Sequence, residues 1–318
     1  MFAIKNISGQ GFDKVILVDK NEGTSIEIIP SCGAILYAFN VLLDNALFNI
    51  IDNYVNIGDF KDNVEYKGFK SCKLSPFACR INKAKYRFGE KIYTIEKFLL
   101  NGDAIHGLLY ASDFVIINQE ANQEYARVTL LHHYTATDKG YPFYFDCIIT
   151  YELKKNNLLT LTTQIINKSE GLIPVQDGWH PYFTFGSSIN ELQLEFQSKE
   201  ILEFNNELIP TGNLLPYDKF SSLKKIEHTV FDNCFTVNFA ECQPLCVVRD
   251  THKKIQLEIY PGKGYPYLQI YTPSHRNSIS IENLSAAPDA FNNGLGLVVL
   301  QPGEKAVFET SFKISLLV

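Results

Sequence analysis

No apolar run in the 318-residue sequence approaches the roughly 20 residues that a helix needs to cross a bilayer. The start MFAIKNISGQGFDK also lacks the continuous apolar stretch and cleavage site of a secretory leader, so the chain is expected to begin at Met1. Basic excess is missing as well. Twenty-nine Lys and Arg against 35 Asp and Glu leave a formal net charge of −6, which gives no attraction to phosphate backbones or anionic lipid. Nucleic-acid and membrane partners are therefore not expected. No CxxC pair occurs among the seven cysteines, an odd number dispersed through a chain too long to need stapling. They read as small buried hydrophobes of a cytoplasmic protein. The closest two, Cys242 and Cys246, have no matching Cys or His pair downstream to complete a zinc site.

Nucleotide signatures are absent too. GQGFDK, GKGYPY and GLGLVV each contain GxG without the third glycine or the strand-turn-helix context, and neither GxxxxGK[ST] nor GxSxG is found. Helical periodicity is sparse, with short possibilities only around 55–62 and 220–226. What is present is 46% hydrophobic residues, enough for a full core, arranged mostly with a period of two. Leu159, Leu161, Thr163 and Ile165 alternate with polar neighbours, as do Ile255, Leu257 and Ile259, and Phe308, Phe312, Ile314 and Leu316. Further strands are expected at 15–19, 25–30, 92–99, 114–119, 125–135, 144–153, 235–239, 245–249, 267–272 and 278–282. Turn-rich pieces such as NKSEG, PTGN and YPGKGYP separate them. With no linker or repeat to mark a boundary, this pattern predicts an all-β protein, a large antiparallel β-sandwich, in one domain over residues 1–318.

Chemistry is sought where ionisable residues sit in aromatic, turn-rich strings. Five places qualify: SPFACRI with Arg80, AIHGLLY with His106, DGWHPYF with His180, VFDNCF with Asp232, and SISIENLSAAPDAFNNG with Glu282. In the last, Ile279 and Ile281 share one strand face, leaving Ser280 and Glu282 to look into solvent or a cleft. A solvated strand-end glutamate is the plainer alternative. His180 lies between Trp179 and Pro181-Tyr182-Phe183, a packet suited to stacking on the C–H face of a sugar, or else a core histidine bonded to backbone. For His106 the Gly107 that follows could mark nothing more than a turn. Alone, Arg80 and Asp232 read as surface charges or an ion pair. His132 and His133, adjacent on a strand, face opposite ways and cannot share a metal, and His228, His252 and His275 fall in polar loops.

In this order, and together with IIPSCGA, KGYPFYFDCIITYEL, LQIYTP and the closing LQPGE, the strings resemble the aldose 1-epimerase (mutarotase) family over most of the chain. The resemblance implies a β-supersandwich of the galactose mutarotase-like type, interconversion of the α and β anomers of a free aldose, and no cofactor. It also implies Glu282 as general base, His180 as general acid, and Arg80, His106 and Asp232 as sugar-binding residues. Trp179 is expected to stack on the sugar. The chain departs from galactose-type members at Trp179, where they have Asn, and at Leu108, where they have Gly, which leaves the identity of the sugar open.

Ring opening needs the O1 proton removed and a proton delivered to the ring oxygen, so one base and one acid suffice, with no metal or nucleotide. Their mutual attraction is expected to push the carboxylate down and the histidine up. A hexose 6-phosphate mutarotase is the alternative within the class, although Arg87, Arg127, Arg249 and Arg276 are scattered in sequence. A carbohydrate-binding protein without turnover is the other. The expected partner is a small-molecule aldose, and the expected state a monomer.

Overall fold

The structure, a computed structural model, describes residues 1–9 and 11–317. Period-two patterning becomes antiparallel sheet throughout. In the strand Leu158–Asn167, Leu159, Leu161, Thr163 and Ile165 are all buried, and their neighbours are partly exposed or paired along the sheet. This strand lies inside a nine-stranded sheet between Tyr144–Lys154 and Lys305–Leu316, starting from the register Leu159↔Leu153 on one side and Leu159↔Phe312 on the other. A second sheet of eight strands carries Asp232–Thr236, Tyr267–Tyr271 and Ile279–Leu284 at its centre, with Gly178–Trp179 and Lys73–Leu74 beyond them.

The two sheets meet face to face through one continuous apolar core. Phe183 of the smaller sheet packs on Phe312 of the larger with ring centroids 5.4 Å apart, and Trp179 packs on Tyr151 at 5.9 Å. A five-stranded meander, Phe2–Ile7 to Ala46–Asn49, adds Leu17, Ile26, Ile28 and Phe39 to the same core. Among the described residues no helix is long and apolar enough to cross a membrane.

Three local expectations change. Residues 220–226 are not helical, because Lys224–Lys225 extend along Gln193–Leu194 as an edge strand. The run 92–99 breaks after Lys91–Thr94, where the Asp138 carboxylate accepts from the backbone N–H groups of Glu96 and Lys97 and competes with the ladder. The strand placed at 235–239 instead spans Asp232–Thr236, which moves Asp232 from a loop onto the sheet. The helix near 55–62 forms at Ile57–Asn63, started by the Asn56 side chain accepting from the Asp59 N–H. One short helix, Ala290–Asn293, had no clear periodicity to announce it.

Candidate active site

Alternation along Ile279–Leu284 sends Ile279, Ile281 and Asn283 toward the core between the sheets, where Asn283 donates to Thr310 Oγ1 of the opposite sheet. Ser280 and Glu282 therefore face the outer side. Cross-strand register carries neighbours to that side, since directly paired residues point the same way: Gln269 opposite Glu282, Tyr271 and Tyr182 opposite Ser280, and Asp232 opposite Tyr271. Sequence positions far apart thus converge on one patch. Over it lies a cavity of ≈ 590 Å³, walled also by Phe69, Lys70, Cys79, Arg80, Ile105, His106 and His180.

His106 reaches the cavity from a tight turn. Its backbone is left-handed (φ 59°) and Gly107 follows at φ 80°, where a Cβ would stand 2.4 Å from the Ser75 carbonyl oxygen. Glycine is required there by sterics. The same glycine that could have marked only a turn marks a turn that aims the histidine. Arg80 donates from Nη1 to Asp103 Oδ2 at 3.4 Å, so it is both a cavity residue and half of an ion pair.

His180 Nε2 stands 3.3 Å from Glu282 Oε1, both side chains buried on the cavity floor. Ser280 Oγ lies 2.9 Å from His180 Nδ1 and 3.3 Å from Glu282 Oε1, closing a three-membered polar ring. Aromatic packing fixes the imidazole, with Tyr182 stacked on it at 5.0 Å and 6° and His106 edge-on at 4.9 Å. Gln269 donates from Nε2 to Asp232 Oδ1 at 3.0 Å. Three buried polar atoms of this patch have no partner among the described residues: Glu282 Oε2, His106 Nδ1 and Gln269 Oε1. Unpaired buried polar atoms are costly, and a polyhydroxylated ligand would satisfy them.

Burial reverses the charge pattern expected from attraction. Desolvation, reinforced by Asp232, holds the Glu282 carboxyl well above the usual range, against the Ser280 hydrogen bond. Desolvation likewise pushes His180 down to about 3. His106 falls well below its ordinary value by burial and by the neighbouring His180 and Arg80. At the 3.3 Å contact burial thus works against an ion pair and favours a neutral carboxyl beside a neutral imidazole. One mobile proton is shared by the pair in either tautomer.

Trp179 is not in the site. Adjacent residues of an extended segment point to opposite faces, so with His180 in the cavity the indole lies 2% exposed in the core against Tyr151. Leu108 is buried in the same core, and neither departure from the galactose-type pattern lines the cavity. The aromatic ring on His180's side is instead Tyr182, itself buried and stacked on the imidazole, and Gln269, Tyr271 and Ser280 complete the patch. Gln269 was legible as a lone amide in LQIYTP sharing alternation with Tyr271. His275, expected in a solvated loop, is exposed yet stands at the cavity rim. His132 and His133 turn to different partners, the Asp113 carbonyl and the Asp146 carboxylate.

His106, His180 and Glu282 could also offer ligand atoms to one ion, all within 4.8 Å of one another. Donors on a tetrahedral zinc stand about 3.3 Å apart, so the group would have to contract to hold it.

A buried carboxyl and an imidazole side by side, walled by aromatic rings and unpaired hydrogen-bonding groups, suit proton exchange with a polyhydroxylated ligand. Residues 14–313 match the aldose 1-epimerase family, and the chain belongs to it. It is similar to the aldose 1-epimerase of Streptococcus thermophilus, 25% identical over 94% of this chain and 93% of that protein. A maltose epimerase of Levilactobacillus brevis is 23% identical over 96% of each chain. In fold it resembles a galactose mutarotase-like protein from Clostridium acetobutylicum, with a TM-score of 0.88 at 18% identity over 99% of both chains. The protein is accordingly an isomerase with a galactose mutarotase-like β-sandwich, a mutarotase acting on a small sugar.

Proposed function

We propose that the protein interconverts the anomers of a free, uncharged aldose, with Glu282 as general base, His180 as general acid, and Arg80, His106 and Asp232 holding hydroxyls. The observation that carries this reading is the 3.3 Å contact between His180 Nε2 and Glu282 Oε1. O1 and the ring oxygen are both bonded to C1, so the groups that exchange protons with them must themselves be neighbours. An unassociated binding protein has no need of such a pair.

Proton transfer from Glu282 to His180 within the pair gives the working form, a carboxylate beside an imidazolium. The carboxylate takes the proton of O1–H as the C1–O5 bond breaks and the electron pair on O1 forms the aldehyde carbonyl. His180 delivers its proton to O5. This leaves a neutral carboxyl and a neutral imidazole, the tautomer that burial favours. Rotation about C1–C2 exposes the other face of the carbonyl, and the same transfers in reverse close the ring. Ser280 keeps both partners in register, and its hydroxyl accepts from Nδ1–H while donating to Oε1.

Cations around the cavity are already matched. Lys67 pairs with Asp59 at 2.5 Å, Lys70 with Asp52 at 2.7 Å and Arg80 with Asp103 at 3.4 Å. No free clamp remains there for a phosphate dianion, which supports a neutral sugar over a hexose 6-phosphate. A cytoplasmic, monomeric protein of one domain over residues 1–318 completes the reading. Free thiols at all seven cysteines, six of them buried, suit a reducing compartment. Polarimetry on freshly dissolved α-glucose, α-galactose and α-glucose 6-phosphate tests it. The expected result is acceleration of a free sugar and not of the phosphate. Preference for the phosphate would overturn the substrate class, and no acceleration with any aldose would leave binding alone.

A further inference from the structure

His106, His180 and Glu282 present donor atoms that all lie within 4.8 Å of one another on the cavity floor. We propose that this triad binds a divalent transition-metal cation such as zinc, and that the bound ion blocks sugar turnover. The block rests on the mutarotase reading of the cavity; the binding does not.

Two imidazoles and one carboxylate are the donor set of an open zinc site, in which three protein ligands leave a fourth position free. One edge already has the right length. His180 Nε2 and Glu282 Oε1 stand 3.3 Å apart, which is also about the spacing of two donors on a tetrahedral zinc. The contraction that the ion requires therefore falls on His106. Its imidazole is held by edge-on contacts to Phe69 and His180 at 4.8 and 4.9 Å, and its Nδ1 has no hydrogen-bond partner among the described residues. Torsion of that one side chain closes the triad.

The far side of each remaining ligand is provided for. A metal-bound histidine commonly gives its other ring N–H to a neighbour that fixes the ring, and Ser280 Oγ lies 2.9 Å from His180 Nδ1. Nε2 is left with its lone pair toward Glu282. The carboxylate keeps an oxygen in reserve, because Ser280 bonds Oε1 while Oε2 is buried without a partner. Charge also favours a dication here. Asp232 and Glu282 repel each other across the patch, and an ion at the triad relieves that repulsion. Arg80, the cation in the wall, is held aside by Asp103 at 3.4 Å. Once bound, the ion occupies the lone pairs of both groups that exchange protons with the sugar, so neither can accept or deliver one.

The test takes Cys242→Ser as the parent protein, which removes the exposed thiol as a competing ligand. Cobalt(II) is added for its visible absorption, which is intense only in a low-coordinate site, and zinc binding is followed by calorimetry. One ion per chain is expected. In this parent, His106→Ala and Glu282→Gln, each checked by a thermal melt, should abolish both the cobalt band and saturable zinc binding. Ser280→Ala should weaken zinc binding about 10–100-fold. In mutarotation of glucose or galactose, zinc should raise KM and leave kcat unchanged, and by reciprocity a saturating sugar substrate should displace the cobalt band. No saturable binding to the folded parent, or a band that survives in both folded variants, would overturn the site. So would a bound ion that leaves turnover untouched. If neither variant folds, displacement of the band by a sugar that the parent turns over decides, and a band that persists rejects the site. Acceleration of no sugar at all would remove the mutarotase reading and the block with it, while the band and its loss in the variants would still decide the binding.

Discussion

Two faces of the same small sheet carry a buried acid beside a buried cationic or imidazole partner, and they are built to opposite ends. On the core face Lys73 pairs with Asp177 at 2.5 Å, both side chains fully buried. Lys73 Nζ also donates to the Gly178 carbonyl at 3.0 Å and lies 4.4 Å from the Trp179 ring centroid. The Tyr265 hydroxyl donates to the same Asp177 oxygen at 2.7 Å, and one oxygen, Oδ1, is left over. On the outer face His180 and Glu282 are 3.3 Å apart, lean on one serine, and border a cavity. Close partners lock the first pair into a structural cross-tie between the strand Lys73–Leu74 and the segment leading to His180. The second pair is held at a longer distance and borders a cavity, an arrangement that suits the proposed proton exchange with a substrate.

The comparison breaks most sharply at Glu282. Glu282→Gln keeps shape and hydrogen-bonding size but cannot accept the O1 proton, so kcat should fall by roughly 10²–10⁴-fold with the fold intact. Polarimetry beside a thermal melt measures both, and a folded variant at near wild-type rate would take the residue out of its role. On the other face the loss should be in stability. Lys73→Met leaves Asp177 buried without its cation, a cost of about 3–5 kcal/mol. Denaturant unfolding should register it, while the surviving folded fraction keeps a near-normal KM. Trp179→Ala belongs with it: a core cavity costing about 3–5 kcal/mol and little change in KM. A large KM increase at wild-type stability would instead return Trp179 to the sugar site.

The pH profile sharpens the same contrast. The active pair holds one mobile proton, so activity falls when a second is added or the first is lost. Addition falls on His180, depressed to about 3, and loss falls on Glu282, raised by burial. The acid limb should therefore lie toward that low value and the alkaline limb above the ordinary carboxylate range, both as properties of the pair. In a still-measurable His180→Asn the alkaline limb should persist. Its disappearance would assign that limb to His180, as simple attraction between the two groups would have it. Smallest of all, Ser280→Ala removes one link of the polar ring and should slow turnover by roughly 2–10-fold, with the wild-type profile shifted rather than abolished.

Much of this was legible in the chain because a strand's period of two is a local property of the backbone. SISIE by itself separates Ile279 and Ile281 from Ser280 and Glu282, and the ordered strings name Arg80, His106, His180 and Asp232. The same rule, applied to Trp179 and His180, puts them on opposite faces, but the rule cannot say which face is core. That depends on Tyr151, a residue of the other sheet. Long-range register decided that Gln269 stands beside Glu282 and that Tyr182 and Tyr271 flank Ser280. Tertiary cover decided the charge states as well. Attraction can be read from a pair of residue types, whereas desolvation is set by how much protein surrounds them. Sequence alone determined an all-β sandwich of the aldose 1-epimerase family and named a candidate acid and base; only the packed sheets set burial against charge on that pair, turned the indole inward and opened a cavity beside Arg80, because burial and cavity shape belong to the assembled strands and to no single one of them.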